Sequence, residues 1–296
     1  NGKKIDFNGY LTDELGDYSI RYIEENKDNP FFMYLSYNAV HTPMEAKQED
    51  LEKYKDHPRR ELAAMTWSLD ENVGKLTAKL KELDLLENTL IYFLSDNGGA
   101  HNNQSSSGQL KGWKGNEFEG GHRVPFIVSW PKKIEKGWTF NGLSSSLDIF
   151  RTSLAAAEIQ TDESVTLDGK NLLPFLTKQK TGNPHQSLYW RKLEESAARL
   201  GDYKLVRLEN YGSVLYNLDK DIAETKDLSE EEQESYNRLS EAYQNWEEQM
   251  MNPRWAEPKP WMEVTYHIHK QLMQNEPVYY QSPSQMRNHK KQNSKE

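Results

Sequence analysis

The sequence has 296 residues, with 37 Lys and Arg against 46 Asp and Glu and a formal net charge of −9. That length suits one large domain or a domain and a half, and the acidic balance argues against nucleic acid as a partner, because phosphate binding needs clustered cations. There is no cysteine and no apolar run long enough to cross a bilayer, which excludes disulfides, thiolate metal sites, a cysteine nucleophile and a transmembrane helix from this stretch. The chain opens on Asn1 with no signal-peptide pattern, which reads as a truncated or processed start.

In chain order, Thr12 to Glu25 carries Leu15, Tyr18, Tyr22 and Ile23 at helical steps behind a Thr-Asp cap, and predicts a helix. Phe31 to Tyr37 (FFMYLSY) follows Pro30 and predicts a short buried strand. From Glu61 to Leu83, residues Leu62, Met65, Leu69, Val73, Leu76, Leu80 and Leu83 recur every three or four positions, the mark of an amphipathic helix. Thr89 to Leu94 predicts a strand ending at Ser95-Asp96-Asn97-Gly98-Gly99. Val124 to Trp130 predicts another, and Leu147 to Ala157 a helix. This alternation is the grammar of an α/β/α sandwich with a largely parallel sheet, whose ligands gather beyond the strand ends.

The character changes near 178–185. Short strands are predicted at Ser187 to Trp190, Ala197 to Leu208 and Val214 to Leu218, then a helix from about Ser229 to Met250. The expected division is a large α/β domain over residues 1–182, a smaller α+β subdomain with a short antiparallel sheet and a helix over 183–252, and a polar extension over 253–296. The end of that extension, from Asn288, is expected to be disordered.

Three clusters carry chemistry. Asp96 and Asn97 set two oxygen-bearing side chains at a strand end, suited to a hard cation such as Ca2+ or Mg2+; alone, Asp-Asn-Gly-Gly also fits a plain turn. His41 follows the Phe31–Tyr37 segment in Asn38-Ala39-Val40-His41-Thr42-Pro43, where it can give a proton to a leaving group or hold an anion. Lys114 sits between glycines in Gly112-Trp113-Lys114-Gly115, ahead of Glu119-Gly120-Gly121-His122-Arg123, and its ammonium suits an anion. Lys111 competes for that role.

The segments PFFMYLSYNAVHTP, ELAAMTWSLDENVGKL, ENTLIYFLSDNGG, GWKGNEFEGGHRVPFIVSWP, SSLDIFRTSLAAAEI, LDGKNLLPFL, AARLGDYKLV and LYNLDKDIAETKDLS, in that order, resemble the sulfatase family of the alkaline-phosphatase-like superfamily. The resemblance implies an enzyme releasing sulfate from a sulfated carbohydrate or aryl sulfate, in the periplasm or secreted. It implies Asp96 and Asn97 as ligands of Ca2+, with Mg2+ the alternative, and His41 and Lys114 as contacts to the sulfate and leaving oxygen. Glu119, Gly120, Gly121 and Arg123 are expected to shape the loop, while His122 and His101 are candidates for the substrate side of the pocket.

The family's nucleophile is a formylglycine made from Cys or Ser in a C/S-x-P-x-R motif, and neither Cys nor Ser-x-Pro-x-Arg occurs here; Ser282-Pro283-Ser284-Gln285-Met286-Arg287 has the wrong spacing. The nucleophile and the remaining acidic metal ligands are therefore expected in a preceding segment, and residues 1–296 alone are expected to be inactive. A phosphodiesterase or phosphonate hydrolase of the same superfamily, and a non-catalytic homologue binding sulfated glycan, are the rival readings.

Overall fold

The computed structural model describes residues 4–160 and 164–293. Helices α1 (Leu11–Asn26), α2 (Gln48–Lys53) and α3 (Arg60–Glu82) open the chain. They are joined by a half-buried polar knot: Lys47 Nζ lies 3.0 Å from Asp13 Oδ2 and 3.5 Å from Asp50 Oδ2. Ser68 Oγ donates to Asp50 at 2.6 Å, and Asn72 Nδ2 donates to Asp13 at 2.7 Å. The buried Asp50 carboxylate and the Asn72 amide nitrogen each find partners, which is the condition for burying them.

Strand β1 (Ile91–Leu94) leads to the turn α4 (Glu119–His122) and strand β2 (Phe126–Ser129). The mixed α/β class is as expected. The ladder is not, since β1 and β2 pair antiparallel, Ile91 opposite Ser129 and Leu94 opposite Phe126. Phe31–Tyr37 also departs from expectation: it joins no ladder among the described residues, and its inward and outward positions alternate, leaving Phe32 73% and Tyr34 83% exposed. An aromatic run has strand propensity, but only a hydrogen-bonded neighbour makes it a strand.

Helices α5 (Asp148–Ala156) and α6 (Leu173–Leu176) follow. Asp148 is fully buried; its carboxylate accepts from the backbone N–H groups of Ser145 (2.8 Å) and Lys170 (2.7 Å) and lies 2.6 Å from His185 Nε2. This pair ties α5 to the segments at 170 and 185.

The second half is built on an antiparallel sheet in sequential order: β3 (Ser187–Lys192), β4 (Glu195–Leu200), β5 (Tyr203–Leu208) and β6 (Gly212–Asn217). The run Ala197–Leu208, read as one element, divides at Gly201, whose φ of +59° turns the chain. Successive residues enter opposite cores. Ala198, Leu205 and Leu215 pack on α7 (Gln233–Glu247) with Leu239 and Tyr243, while Ala197, Val206 and Val214 face Phe118 and the C-terminal helices. Because both faces are covered, the strands place apolar residues on both sides, as at Leu205-Val206 and Val214-Leu215.

The described part of the extension after Pro253 carries two helices. Helix α8 (Lys259–Met273) buries Val264, Ile268 and Leu272 at four-residue spacing, and α9 (Pro283–Asn293) buries Met286 in the same cluster. The disorder expected from Asn288 therefore meets a helix through Asn293, held in part by Lys290 to Glu263 at 2.7 Å; residues 294–296 lie outside the described part. Polar composition concealed an amphipathic stripe with a sheet to cover.

Candidate active site

Three loops converge. The Asp96–Gly99 loop leaves β1, and the Lys111–Gly115 loop lies against it: the Lys114 N–H donates to Gly99 O at 3.1 Å. The α4 turn closes the far side, where Gly98 N–H donates to Gly121 O at 2.8 Å and Gly120 N–H to Lys111 O at 2.7 Å. This interleaving dictates the glycines. A Cβ at Gly98 would stand 1.8 Å from Gly120 O, and one at Gly121 would stand 1.9 Å from Asn116 O, so backbone packs on backbone with no room for a methyl group.

Lys114 Nζ reaches His41 Nε2 at 3.1 Å. The His41 Nδ1–H donates to the Thr42 carbonyl at 2.7 Å, which leaves Nε2 as the acceptor of a Lys114 proton. The His41 loop is itself fastened, since Asn103 Nδ2 donates to Val40 O at 3.0 Å. Lys111 is turned elsewhere; its Nζ donates to Leu272 O (3.1 Å) and Asn275 Oδ1 (2.6 Å), so of the two lysines it is Lys114 that lies beside His41.

Asn97 Nδ2 donates to Asp96 Oδ1 at 2.6 Å, so the amide and the second carboxylate oxygen remain as hard-oxygen donors. No group of three or more His, Cys, Asp or Glu able to hold a metal occurs among the described residues. Calcium takes about six to eight oxygens, so Asp96 and Asn97 fit one side of such a site.

The two further candidate histidines part company. His101 packs on Trp113, ring centroids 5.5 Å apart, and desolvation lowers its pKa; it borders the Lys114 loop. His122 points the other way. Its ring stacks on Trp190 at 4.2 Å, and its Nε2 donates to the Glu117 carbonyl at 3.0 Å and lies 3.3 Å from Lys204 Nζ. Burial, then the Lys204 charge, push its pKa down to about 3. This neutral ring is a wedge between the α4 turn and the second sheet, not part of the cleft.

The residue that sequence reading missed is Lys204. It is fully buried, with Nζ 3.0 Å from Glu119 Oε1 and 3.0 Å from Glu224 Oε1, while Glu224 Oε2 accepts from the Glu119 backbone N–H at 2.8 Å. Burial works to raise the Glu119 pKa, but the Lys204 ammonium overrides it and holds the carboxyl at about 2. Glu119 and Arg123 thus shape the turn as expected, by an ion cluster that crosses to the second sheet. The lone signal was a lysine inside the apolar run of β5.

Around this cluster, burial raises Glu117 to about 7 and Glu195 to about 8. The ordinary value is 4.5, so the folded chain retains protons that the unfolded chain has lost. These two groups withdraw stability as pH rises from about 4.5 to about 8, while the buried His122 and His269 rings, both held at about 3 against an ordinary 6.5, add it up to about 6.5, so the net decline is expected above about 6.5. Urea midpoints taken between about pH 6.5 and 8 are expected to decline, and Glu195→Gln to flatten the decline; an equal slope in the variant would refute the assignment.

A sulfatase family model matches residues 1–159, more than half of the chain, and a model described as N-sulphoglucosamine sulphohydrolase, C-terminal, matches residues 112–257. The chain belongs to the sulfatase family. Its curated relatives include an uncharacterized sulfatase of Escherichia coli K12, YdeN, 33% identical over 197 residues, covering 64% of this chain and 35% of that protein. The steryl-sulfatase of Homo sapiens is 34% identical over 188 residues, covering 60% and 32%. This chain thus spans about a third of the length of those relatives. The crystal structure of Ps i-CgsB superposes with a TM-score of 0.82 at 32% identity, over 91% of this chain and 62% of that one. The fold is that of the sulfatases. No described helix is long and apolar enough to cross a membrane.

Proposed function

We propose that this chain supplies the leaving-group side of a sulfatase active site and part of its calcium site, acting on a sulfated carbohydrate outside the cytoplasm. The observation that carries the reading is the 3.1 Å contact of Lys114 Nζ with His41 Nε2, on loops tied to the Asp96–Gly99 loop. An ammonium hydrogen-bonded to an imidazole presents positive charge to a sulfate ester and keeps a proton ready for the departing alcohol oxygen. The carbonyl of Thr42 fixes the imidazole tautomer this requires.

Asp96 and Asn97 would hold Ca2+ jointly with donors outside residues 1–296, and the cation would neutralise the sulfate oxygens. A formylglycine, when present in a preceding segment, supplies the nucleophile that this chain lacks. Sulfated carbohydrate as the substrate class draws support from the relatives: Ps i-CgsB was also crystallised with k-i-k-neocarrahexaose, and the mouse N-acetylgalactosamine-6-sulfatase is 34% identical over 188 residues.

The test uses the full-length enzyme with an aryl sulfate and a panel of sulfated oligosaccharides. Inorganic sulfate is the expected product, lost on chelation and restored by Ca2+, with Asp96→Ala raising the Ca2+ concentration needed. Release of phosphate from phosphate esters in preference to sulfate would move the assignment to the phosphoester branch of the superfamily. His41-dependent sulfate release by residues 1–296 alone would refute the division of labour.

A further inference from the structure

A surface pocket of about 400 Å³ lies between α2 and the first turns of α3, lined by Tyr54, His57, Arg59, Trp67 and Asp70. That volume falls in the range of small-ligand sites and suits a single ring rather than a protein surface. Its walls are aromatic: the Tyr54 ring is 6.3 Å from Trp67 and 6.2 Å from His57. Its wall carries the Arg59 guanidinium and the Asp70 carboxylate, and Lys53 Nζ rests on the Trp67 ring at 2.9 Å. His57 Nδ1 accepts from the Arg59 backbone N–H at 3.1 Å, which leaves its other ring nitrogen as a donor in the neutral ring.

The pocket is joined to the candidate active site. One Arg59 guanidinium nitrogen donates to the Gln104 carbonyl at 3.2 Å, and the preceding residue, Asn103, donates to Val40 O beside His41. The remaining guanidinium donors are uncommitted to that bond and suit a planar, bidentate anionic group. Flat apolar rings, a fork of donors and a carboxylate acceptor together recognise a sugar ring that carries an anionic substituent.

We propose that this pocket is a subsite for a second, anionic sugar ring of the substrate chain, next to the ring whose sulfate ester meets His41 and Lys114. The proposal rests on the reading of that pair as the sulfate-ester centre. It makes the enzyme a reader of glycan chains, with affinity drawn from a ring that does not react. A small aryl sulfate carries no second sugar ring, and this separates the subsite from the chemistry.

The test is made on the full-length enzyme, with Arg59→Ala and Trp67→Phe. Steady-state kinetics are compared for an aryl sulfate and for the fastest substrate in a panel of sulfated carrageenan, chondroitin and heparan oligosaccharides. Arg59→Ala is expected to raise KM for the oligosaccharide about tenfold, the loss of one hydrogen bond to a charged group, and by more than any change it causes with the aryl sulfate. Equal losses on both substrates would show that Arg59 acts only by holding the Gln104 loop, and no loss on the oligosaccharide would leave the pocket without a ligand; either overturns the proposal. Tryptophan fluorescence gives a readout without turnover. Oligosaccharide is expected to cause a larger saturable change than the aryl sulfate, with the excess lost in Trp67→Phe and the midpoint moved about tenfold in Arg59→Ala. If the wild type hydrolyses nothing in the panel, the functional reading fails, and the titration still decides the subsite: an excess fully retained in Trp67→Phe overturns it.

Discussion

Lys114→Ala in the full-length enzyme is expected to lower kcat by about a hundredfold to a thousandfold, the usual cost of removing one preorganised donor from a site of developing negative charge. Its ammonium is hydrogen-bonded to His41 Nε2 and makes no contact with the buried cores, so the unfolding midpoint should stay near the wild-type value. His41→Ala should fall in the same range. The double variant should lose little more than either single one, because two residues that act through one hydrogen bond are not additive. Stopped assays of sulfate release across a substrate range separate kcat from KM. A Lys114→Ala enzyme with unchanged kcat and a raised KM would assign the lysine to uniform substrate binding.

Lys204→Met is expected to have the largest effect on stability, a loss of about 3–5 kcal/mol, the cost of leaving a buried charge without its partner. The methionine fills the volume but strands Glu119 and Glu224, whose carboxylates both lie 3.0 Å from the lysine nitrogen. Adding Glu119→Gln should recover part of the loss by removing one orphaned charge. Urea unfolding followed by circular dichroism gives the comparison. A Lys204→Met protein as stable as wild type would mean that the cluster only matches its own desolvation. The effect should extend to the cleft, since the α4 turn held by Lys204 also carries the Gly121 carbonyl that receives Gly98.

Much of the local structure was written in the residues. The seven apolar positions from Leu62 to Leu83 specify α3, and the strand-end signature at Ser95–Gly99 marks the loop of the candidate cation site. His41 and Lys114 were legible as separate loop residues because strand ends and glycine-flanked turns are where chemistry sits. That they serve one sulfate came only from the family resemblance, and residue pattern alone did not show their meeting. The two are 73 residues apart, and only the seating of three loops on one another brings their nitrogens to 3.1 Å.

The misreadings have one cause, which is that pattern reports what a segment can bury and not what it lies against. Phe31–Tyr37 has the composition of a strand but no ladder partner among the described residues. The polar text after Pro253 hides α8, whose Val264, Ile268 and Leu272 became meaningful once a sheet face stood opposite them. His122 looked like a cleft residue until the second sheet placed Trp190 and Lys204 beside it. The sequence by itself determined the helices, the family and the residues able to do chemistry, because those depend on local periodicity and residue type. The tertiary structure alone decided the antiparallel pairing of β1 with β2, the exclusion of Lys111 and His122 from the cleft, and the buried lysine that joins the two halves. Each of these depends on which groups far apart in the chain share a low-dielectric space, where an unpaired charge is too costly to keep.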